Sequence, residues 1–524
     1  MAQKLTRRQF ISLSGASLAA VALNGCSVPA ASDQTANEPT QTSNKPQPGG
    51  VLRVGFADMP GDLNPWFTAT AVDSVLKLAI YEPLVRYDPT FEIEPALATS
   101  WETSADGLTW TFKLRSGVTF HDGSTFTAKD VVYSFGEILK PANGYMGSKA
   151  LSFIAKVTSV NANTVQMTLK QPNMDFLILL ADAPSAAFIV PHTKTVKELI
   201  KRPCGTGPFK LKEYQPSVST TFVRNEAYWD QGLPYLDELH HVYLPETATQ
   251  VAALMSGELQ LLWQINPDSI AVLQKSPQVK VVEVPGGFYQ PLLMSVKQKP
   301  FEKIKVRQAM KYLVNREAFV KAVLQGRGQP GNDQPVTPKA PFWGNIPPYP
   351  FDLAKAKALL AEAGYPDGFT TTLLTSNARP GMTESATVFQ EMAKQAGVTI
   401  NLKQVPADSY WKDYLTYPMA TSSWPIYPST DQIFTMAYHS TGVWNETGLK
   451  DPILDGLIEA ARSETSEAQR LKTYTKIEQL VHDEGAVIIP YFRSGFFAHQ
   501  AKVQGLVYPP NAQMRPHTTW IKES

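Results

Sequence analysis

The chain has 524 residues, 43% of them hydrophobic and 18% charged, with a formal net charge of +1. Such a length and apolar share supply a substantial core divided over two or more domains, which excludes a chain disordered throughout, a fibrous repeat and a small disulfide-stapled fold. Lys+Arg (48) and Asp+Glu (47) nearly cancel, so there is no electrostatic footprint for nucleic acid. Two cysteines, Cys26 and Cys204, are too few for a thiolate-rich metal centre.

At the N-terminus Lys4, Arg7 and Arg8 precede an apolar run from Phe10 to Leu23 that serines and a glycine dilute. The run is too short and too polar for a spanning helix. Thr6-Arg7-Arg8-Gln9-Phe10-Ile11 resembles a twin-arginine export signal, with Ser12 where that signal commonly has Lys. Leu23-Asn24-Gly25-Cys26 resembles a bacterial lipobox, in which small residues admit a peptidase and the thiol carries diacylglyceride. Residues 1–25 are therefore expected to be an export signal and Cys26 a lipidation site, leaving a mature formal charge of −2 after loss of Lys4, Arg7 and Arg8. Residues 26–49 hold almost no large apolar side chains and read as a lipid-anchored flexible tether. With Cys26 acylated, Cys204 has no partner for a disulfide and reads as a buried small residue.

Val51 opens an extended apolar segment. Leu108–Leu114 alternates, with Trp110, Phe112 and Leu114 on one face and Thr111 and Lys113 on the other. Thr127, with Asp130 three residues later, signals the start of a helix whose stripe is Val131, Phe135 and Ile138. Further helices are predicted over Thr249–Ser256, Val306–Leu324, Leu353–Ala363, Thr387–Ala396 and Glu467–Asp483. Gly257, Gly326, Gly364 and Gly397 stand at four of their ends. Strand patterns at Leu259–Ile265 and Val398–Leu402 follow two of these helices, and this succession predicts α/β architecture. Near the C-terminus Ala486–Phe492 reads as a buried strand and Gly495-Phe496-Phe497 as an aromatic return segment. Pro490 is unsuited to a central ladder position.

Longer stretches carry a family resemblance. Leu97–Phe135, Cys204-Gly205-Thr206-Gly207-Pro208-Phe209, Arg224–Trp229, Lys305–Ala309, Leu359–Tyr365 and Asp367-Gly368-Phe369 occur in an order that resembles solute-binding protein family 5. These are the large substrate-binding components of bacterial ABC importers, among them dipeptide-, oligopeptide- and nickel-binding proteins. The resemblance implies a bilobal periplasmic-binding-protein-like clamp of type II with an additional subdomain in its first lobe. Carried onto this chain, the first lobe is 50–92 with 205–295 and 490–524, the extra subdomain 93–204 and the second lobe 296–489. It implies a non-catalytic, monomeric lipoprotein that captures a small solute outside the cytoplasm and delivers it to permease transmembrane subunits, with ATPase subunits acting indirectly. No cofactor and no nucleic-acid partner are expected. A short peptide is the favoured solute; a sugar conjugate, an opine or a metal chelate is the alternative. A secreted hydrolase and a chemoreceptor partner on the same scaffold are the competing classes, but no nucleophile, base and orienting group are placed together.

The motifs divide between chemistry and scaffold. His121 and Asp122 are neighbours on extended backbone and point apart. Gly205-Thr206-Gly207-Pro208 lacks the amide that a phosphate loop needs at Pro208 and reads as a crossover turn. His439 stands alone and His240-His241 diverge, so no metal site is expected. By resemblance Arg379 lies near an arginine that grips a dipeptide carboxylate, a role suited to a guanidinium; a salt bridge is the competing reading. In peptide-binding relatives a Trp is commonly followed by an acid that receives the α-ammonium group, and matching Trp424 puts Tyr427 near that position. Tyr427 ordinarily offers no negative charge. Trp424 and Tyr427 read either as pocket walls or as core anchors. Asp431 reads as a cap on Gln432–Tyr438 ahead of a ligand contact.

Overall fold

The computed structural model describes residues 45–524 apart from 68–70, 183–186, 339, 509–512 and 523–524. The expected export signal, Cys26 and nearly all of the tether lie outside the described residues. Among the described residues no helix is long and apolar enough to cross a membrane.

Three sheets organise the two-lobed body. The largest has nine strands, in the order Trp424–Pro425, Val279–Tyr289, Tyr491–Gln500, Leu261–Leu262, Val51–Phe56, Glu238–Tyr243, Ser219–Arg224 and Phe209–Gln215, with Gly328–Pro330 pairing beside Tyr491–Gln500. The second lobe is built on five strands, ordered Thr399–Gln404, Thr370–Thr375, Met419–Thr421, Leu292–Met294 and Val487–Ile488. There the helix Met382–Lys394 joins the parallel strands Thr370–Thr375 and Thr399–Gln404, a βαβ unit whose crossover covers one face of the sheet. Leu292, Met294, Leu373, Ile400 and Ile488 bury that face against Val306, Met310 and Phe389. The third sheet is antiparallel, Ala98–Thr103, Thr109–Leu114, Thr164–Leu169 and Ile154–Asn161. The alternation predicted there is realised: Trp110, Phe112 and Leu114 are buried and Lys113 is exposed.

Most predicted helices form, with shifted limits. Asp130 accepts the Thr127 backbone N–H at 2.7 Å, fixing the start of Ala128–Ile138. The single helix expected over Val306–Leu324 is two, Ile304–Tyr312 and Arg316–Leu324. Asn315 divides them, its side chain accepting from the Ala318 N–H and so opening a second helix. The helix expected at Thr387 begins at Met382, behind Gly381 at φ +89.

Three times the chain passes from one sheet to the other within two residues. Val279–Tyr289 continues through Gln290-Pro291 into Leu292–Met294, Met419–Thr421 through Ser422-Ser423 into Trp424–Pro425, and Val487–Ile488 through Ile489-Pro490 into Tyr491–Gln500. These links are neighbours. Tyr289 registers opposite Trp424 and Phe492, Leu292 opposite Thr421 and Ile488, and Gln290 Nε2 donates to Ser423 Oγ at 3.3 Å. Pro490 sits where no ladder bond is needed, as its missing N–H requires. The residues after it are not a return segment. They form a ten-residue strand, every residue buried, at the centre of the large sheet.

The Cys204–Phe209 turn is locked by contact. A Cβ on Gly205 would stand 2.1 Å from the Ile80 carbonyl oxygen. Gly207 donates its N–H to that same oxygen at 2.9 Å, while its own carbonyl accepts from Asn225 Nδ2 at 3.0 Å and meets His121 Nε2 at 2.9 Å. His121 therefore staples the turn to the segment that leads into Ala128–Ile138, and Asp122 turns away to Ser124 and Lys194. Cys204 is buried and free beside them, its thiol pushed up to about 11, chiefly by burial. Gly205→Ala is expected to cost at least about 1–3 kcal/mol, read as a lowered urea midpoint.

In the second lobe Glu478 is fully buried on the helix Glu467–Glu484, and both its oxygens lie 2.9–3.0 Å from the Gly344 N–H. Burial pushes its carboxyl up to about 8 from an ordinary 4.5. The folded chain thus holds a proton that the unfolded chain releases between about pH 4.5 and 8. The associated stability is complete below that window and is lost as pH rises through it, at no more than about 1.4 kcal/mol per pH unit. Stability measured from pH 5 to 8 should fall less steeply in Glu478→Gln than in the parent.

Candidate functional site

The three links place the side chains around them at the seam between the lobes. Trp424, the first residue beyond Ser422-Ser423, is buried, and its indole Nε1 donates to Glu446 Oε2 at 2.9 Å. Glu446 also accepts from the Tyr414 hydroxyl at 2.7 Å and Ser422 Oγ at 2.9 Å. These three donors favour the ionised carboxylate, but burial outweighs them and raises its pKa. Tyr427 is half-buried, its ring 6.3 Å from that of Trp424. Burial pushes its phenol up first, and the negative fields of Asp182 and Glu446 add to that. Tyr289, Pro425, Tyr427 and Ile433 close around a void of only about 10 Å³, about one water in size.

Asp431 does not cap the helix that follows it. Ser429 does, its Oγ accepting from the Gln432 N–H at 3.1 Å, because a residue one step before the first turn can reach that amide. Asp431 lies inside the turn and takes Arg462 Nε at 3.1 Å and Thr435 Oγ1 at 3.2 Å. Arg379 stands beyond Thr370–Thr375, half-exposed, with Nη1 3.6 Å from Asp58 Oδ2. Asp58 follows Val51–Phe56 of the large sheet, so this loose ion pair spans the seam.

Other groups cross the seam that local sequence patterns do not reveal. Asp182 is buried and accepts from Gln432 Nε2 at 2.7 Å, Gln513 Nε2 at 3.0 Å and the Tyr87 hydroxyl at 3.3 Å. Asp175 pairs with Arg470 at 2.8 Å. Outside the Asp182–Gln432 contact lies a hollow of about 310 Å³, bordered by Lys149, Lys170 and Asn173 on one side and Gln432 and Arg462 on the other. Glu446 is 22 residues from Trp424, and Asp182 is 250 residues from Gln432; no spacing rule joins partners so far apart. Arg493 did leave a trace, as the lone charge in Tyr491–Ala498.

The histidines behave as scaffold. His241 is buried between Phe56 and Phe222, and burial lowers its pKa to about 3. His240 on the opposite face meets Glu238 at 2.6 Å. Among the described residues no group of three or more His, Cys, Asp or Glu side chains could hold a metal ion.

The family model for bacterial extracellular solute-binding proteins, family 5, middle region, matches residues 92–445. The chain is 33% identical over 347 residues to the glutathione-binding protein GsiB of Salmonella typhimurium, an alignment covering 66% of this chain and 67% of that protein. Its fold is similar to DppA of Helicobacter pylori in complex with the peptide STSA, with a TM-score of 0.81 and 26% identity over 91% of this chain and 99% of the other. AgaA of A. tumefaciens R10 in complex with agropinic acid gives the same TM-score, identity and coverage. By sequence match and by its two-lobed architecture, the chain belongs to family 5 of the bacterial extracellular solute-binding proteins, exported components that bind a small solute for an ABC importer.

Proposed function

We propose that the solute is a short peptide or a close peptide analogue bearing a free ammonium and a carboxylate, gripped between the lobes and passed to the permease. The observation that carries this reading is a pair of carboxylates, Asp182 buried and Glu446 half-buried, whose fields reach Tyr427. Asp182 and Glu446 both press their negative fields on that phenol and supply the charge that Tyr427 lacks. An ammonium group there offsets the cost of keeping an acid buried without a cation. Arg379, held only loosely by half-exposed Asp58, is the proposed partner for the carboxylate, with Trp424 and Tyr427 as walls and Asp431 fixing Arg462 behind them. The likenesses to a glutathione-binding protein and to DppA with a bound peptide support a peptide-like solute. The likeness to AgaA with agropinic acid, joined to the tyrosine where an acid is common, favours an opine as the second reading.

Capture follows from contact with both lobes. A solute bound equally well by the open and shut forms shifts nothing; one that gains partners only on closure favours the shut form. The lobe limits proposed are 50–92, 205–295 and 490–524 for the first, 93–204 for its insertion and 296–489 for the second. The membership of the three sheets supports them in the main: Leu292–Met294 already belongs to the second lobe's sheet, and Gly328–Pro330 and Trp424–Pro425 cross to the first lobe's sheet. The lobes act as one monomer, tethered to the membrane by lipid on Cys26.

Mass spectrometry of small molecules released from the purified chain should find a peptide-sized zwitterion. Finding a sugar-amino acid conjugate instead replaces the peptide with the opine reading. Arg379→Ala should weaken calorimetric affinity for glutathione by about 10–100-fold, the range for one charge-assisted hydrogen-bonded contact; unchanged affinity removes Arg379 from the site. Cys26→Ser should move the protein from the membrane fraction to the soluble fraction on cell fractionation, and continued membrane retention rejects the anchor.

A further inference from the structure

Arg493 has no evident reason to be where it is. It lies on the strand Tyr491–Gln500, three residues past Pro490, where the chain has just crossed from one lobe to the other. Along its face Tyr491 belongs to the second-lobe core and Phe497 to the first-lobe core, so Arg493 is the charged side chain at the changeover. It is 8% exposed. Its Nε has no hydrogen-bond partner, and Nη1 reaches only the Ser494 carbonyl at 3.4 Å. Among the described residues no carboxylate pairs with it, whereas Arg327 of the adjoining segment does meet Glu283, at 3.7 Å. One face of the guanidinium is covered by the Phe288 ring at 4.4 Å. A buried cation in this condition is costly, and arginine does not relieve the cost by losing its proton at physiological pH.

A second guanidinium, that of Arg379, acts on it electrostatically from the other lobe. The positive field of Arg379 reaches Arg493 and, after burial, is the influence that helps push it down to about 10. Two residues beyond Arg379, Gly381 opens the helix Met382–Lys394 with no side-chain cap. The site a Cβ would take on Gly381 is 2.9 Å from the Tyr491 hydroxyl and 3.4 Å from Gln290 Oε1. Gln290 Oε1 is itself buried and without a partner. The links at 290–291 and 489–490 and the start of that helix are thus drawn together around the two arginines, and the half-exposed carboxylate of Asp58 is the acid Arg379 touches.

We propose that Arg493 and Arg379 form a paired-guanidinium receptor for a carboxylate-type anionic end of the solute, with Arg493 as the buried, permanent half and Arg379 as the half that exchanges Asp58 for the solute. Planar guanidinium groups suit bidentate contact with a carboxylate or phosphate, and an anion between them removes both the like-charge repulsion and the unpaired burial. Arg493 is then a specificity-determining residue placed on the strand that joins the lobes. The inference rests on the solute-capture reading above and adds Arg493 as a second, buried partner for the ligand's anionic end.

Glutathione and glutathione diethyl ester, titrated calorimetrically into the purified chain, test it. The parent is expected to bind the acid at least 30-fold more tightly than the ester. Arg493→Gln should lose that discrimination by weakening the acid alone, and Arg493→Lys, which keeps charge without the planar geometry, should lose part of it. The unliganded melting temperature of both variants should hold or rise, since no carboxylate loses a partner. Unchanged acid affinity in Arg493→Gln overturns the receptor, as does an equal loss for acid and ester with a lowered melting temperature. If the parent binds neither probe, glutathione is removed as a candidate solute, and melting shifts with agropinic acid, succinate and inorganic phosphate decide the receptor separately. A shift present in the parent and abolished in Arg493→Gln upholds it; no shift with any of the three overturns it.

Discussion

Three adjacent strands run through both lobes with only two residues released from the ladders at each passage, and the rest of the molecule is arranged around that restriction. Gln290-Pro291, Ser422-Ser423 and Ile489-Pro490 each span at most about 7 Å of extended chain. Lobes joined this way can rotate about the shared line of links but cannot slide past one another or separate. A rotation of that kind would leave side chains near the links with nearly constant neighbours and would act on contacts at the rim, such as Asp175 with Arg470 and Asp182 with Gln432. Hinge closure of this kind is an economical way to turn solute contacts into a change of state.

Charge is distributed along the seam in keeping with that motion. Acidic groups gather toward Tyr427, where Glu446 and Asp182 are held by neutral donors, and cationic groups gather at the links. Asp431 with Arg462 and Asp333 with Arg316 are internal ion pairs; they position the helix after Trp424 and the Ile489 amide, whose N–H donates to Asp333 Oδ1 at 2.9 Å. The contrast matters, because a buried ion pair is at best a modest contributor to stability while an unpaired buried charge opposes folding. Strain of that second kind is tolerated where binding relieves it.

The sequence revealed the elements better than the site. Period-two alternation at Trp110, Phe112 and Leu114 and the Thr127–Asp130 capping pattern are local signals, and the structure realises both. Asn315 misled because a polar residue inside an apolar pattern can be a solvated face or a fresh helix start, and only its bond to the Ala318 N–H separates the two. Pro490 correctly marked a place without a ladder bond, yet nothing local told that the next ten residues would be the central strand of the other lobe. At the seam Trp424 and Tyr427 stood out by residue type. The carboxylates beside them did not, since Asp182 and Glu446 arrive from distant parts of the chain through topology. Asp431 looked like a cap by type and position, but it lies within the first turn, and Ser429, one step before that turn, is the residue whose Oγ takes the Gln432 amide.

Cys204 carries a quieter consequence. Its thiol is shielded beside Tyr81 and the Gly205–Pro208 turn and held almost wholly protonated, so it is a poor nucleophile. Maleimide or iodoacetamide applied to the folded molecule will pass it by, and with Cys26 acylated or replaced by serine a cysteine introduced on either rim can be labelled selectively. The clamp is therefore ready-made for a pair of dyes that would follow its opening in real time, one molecule at a time.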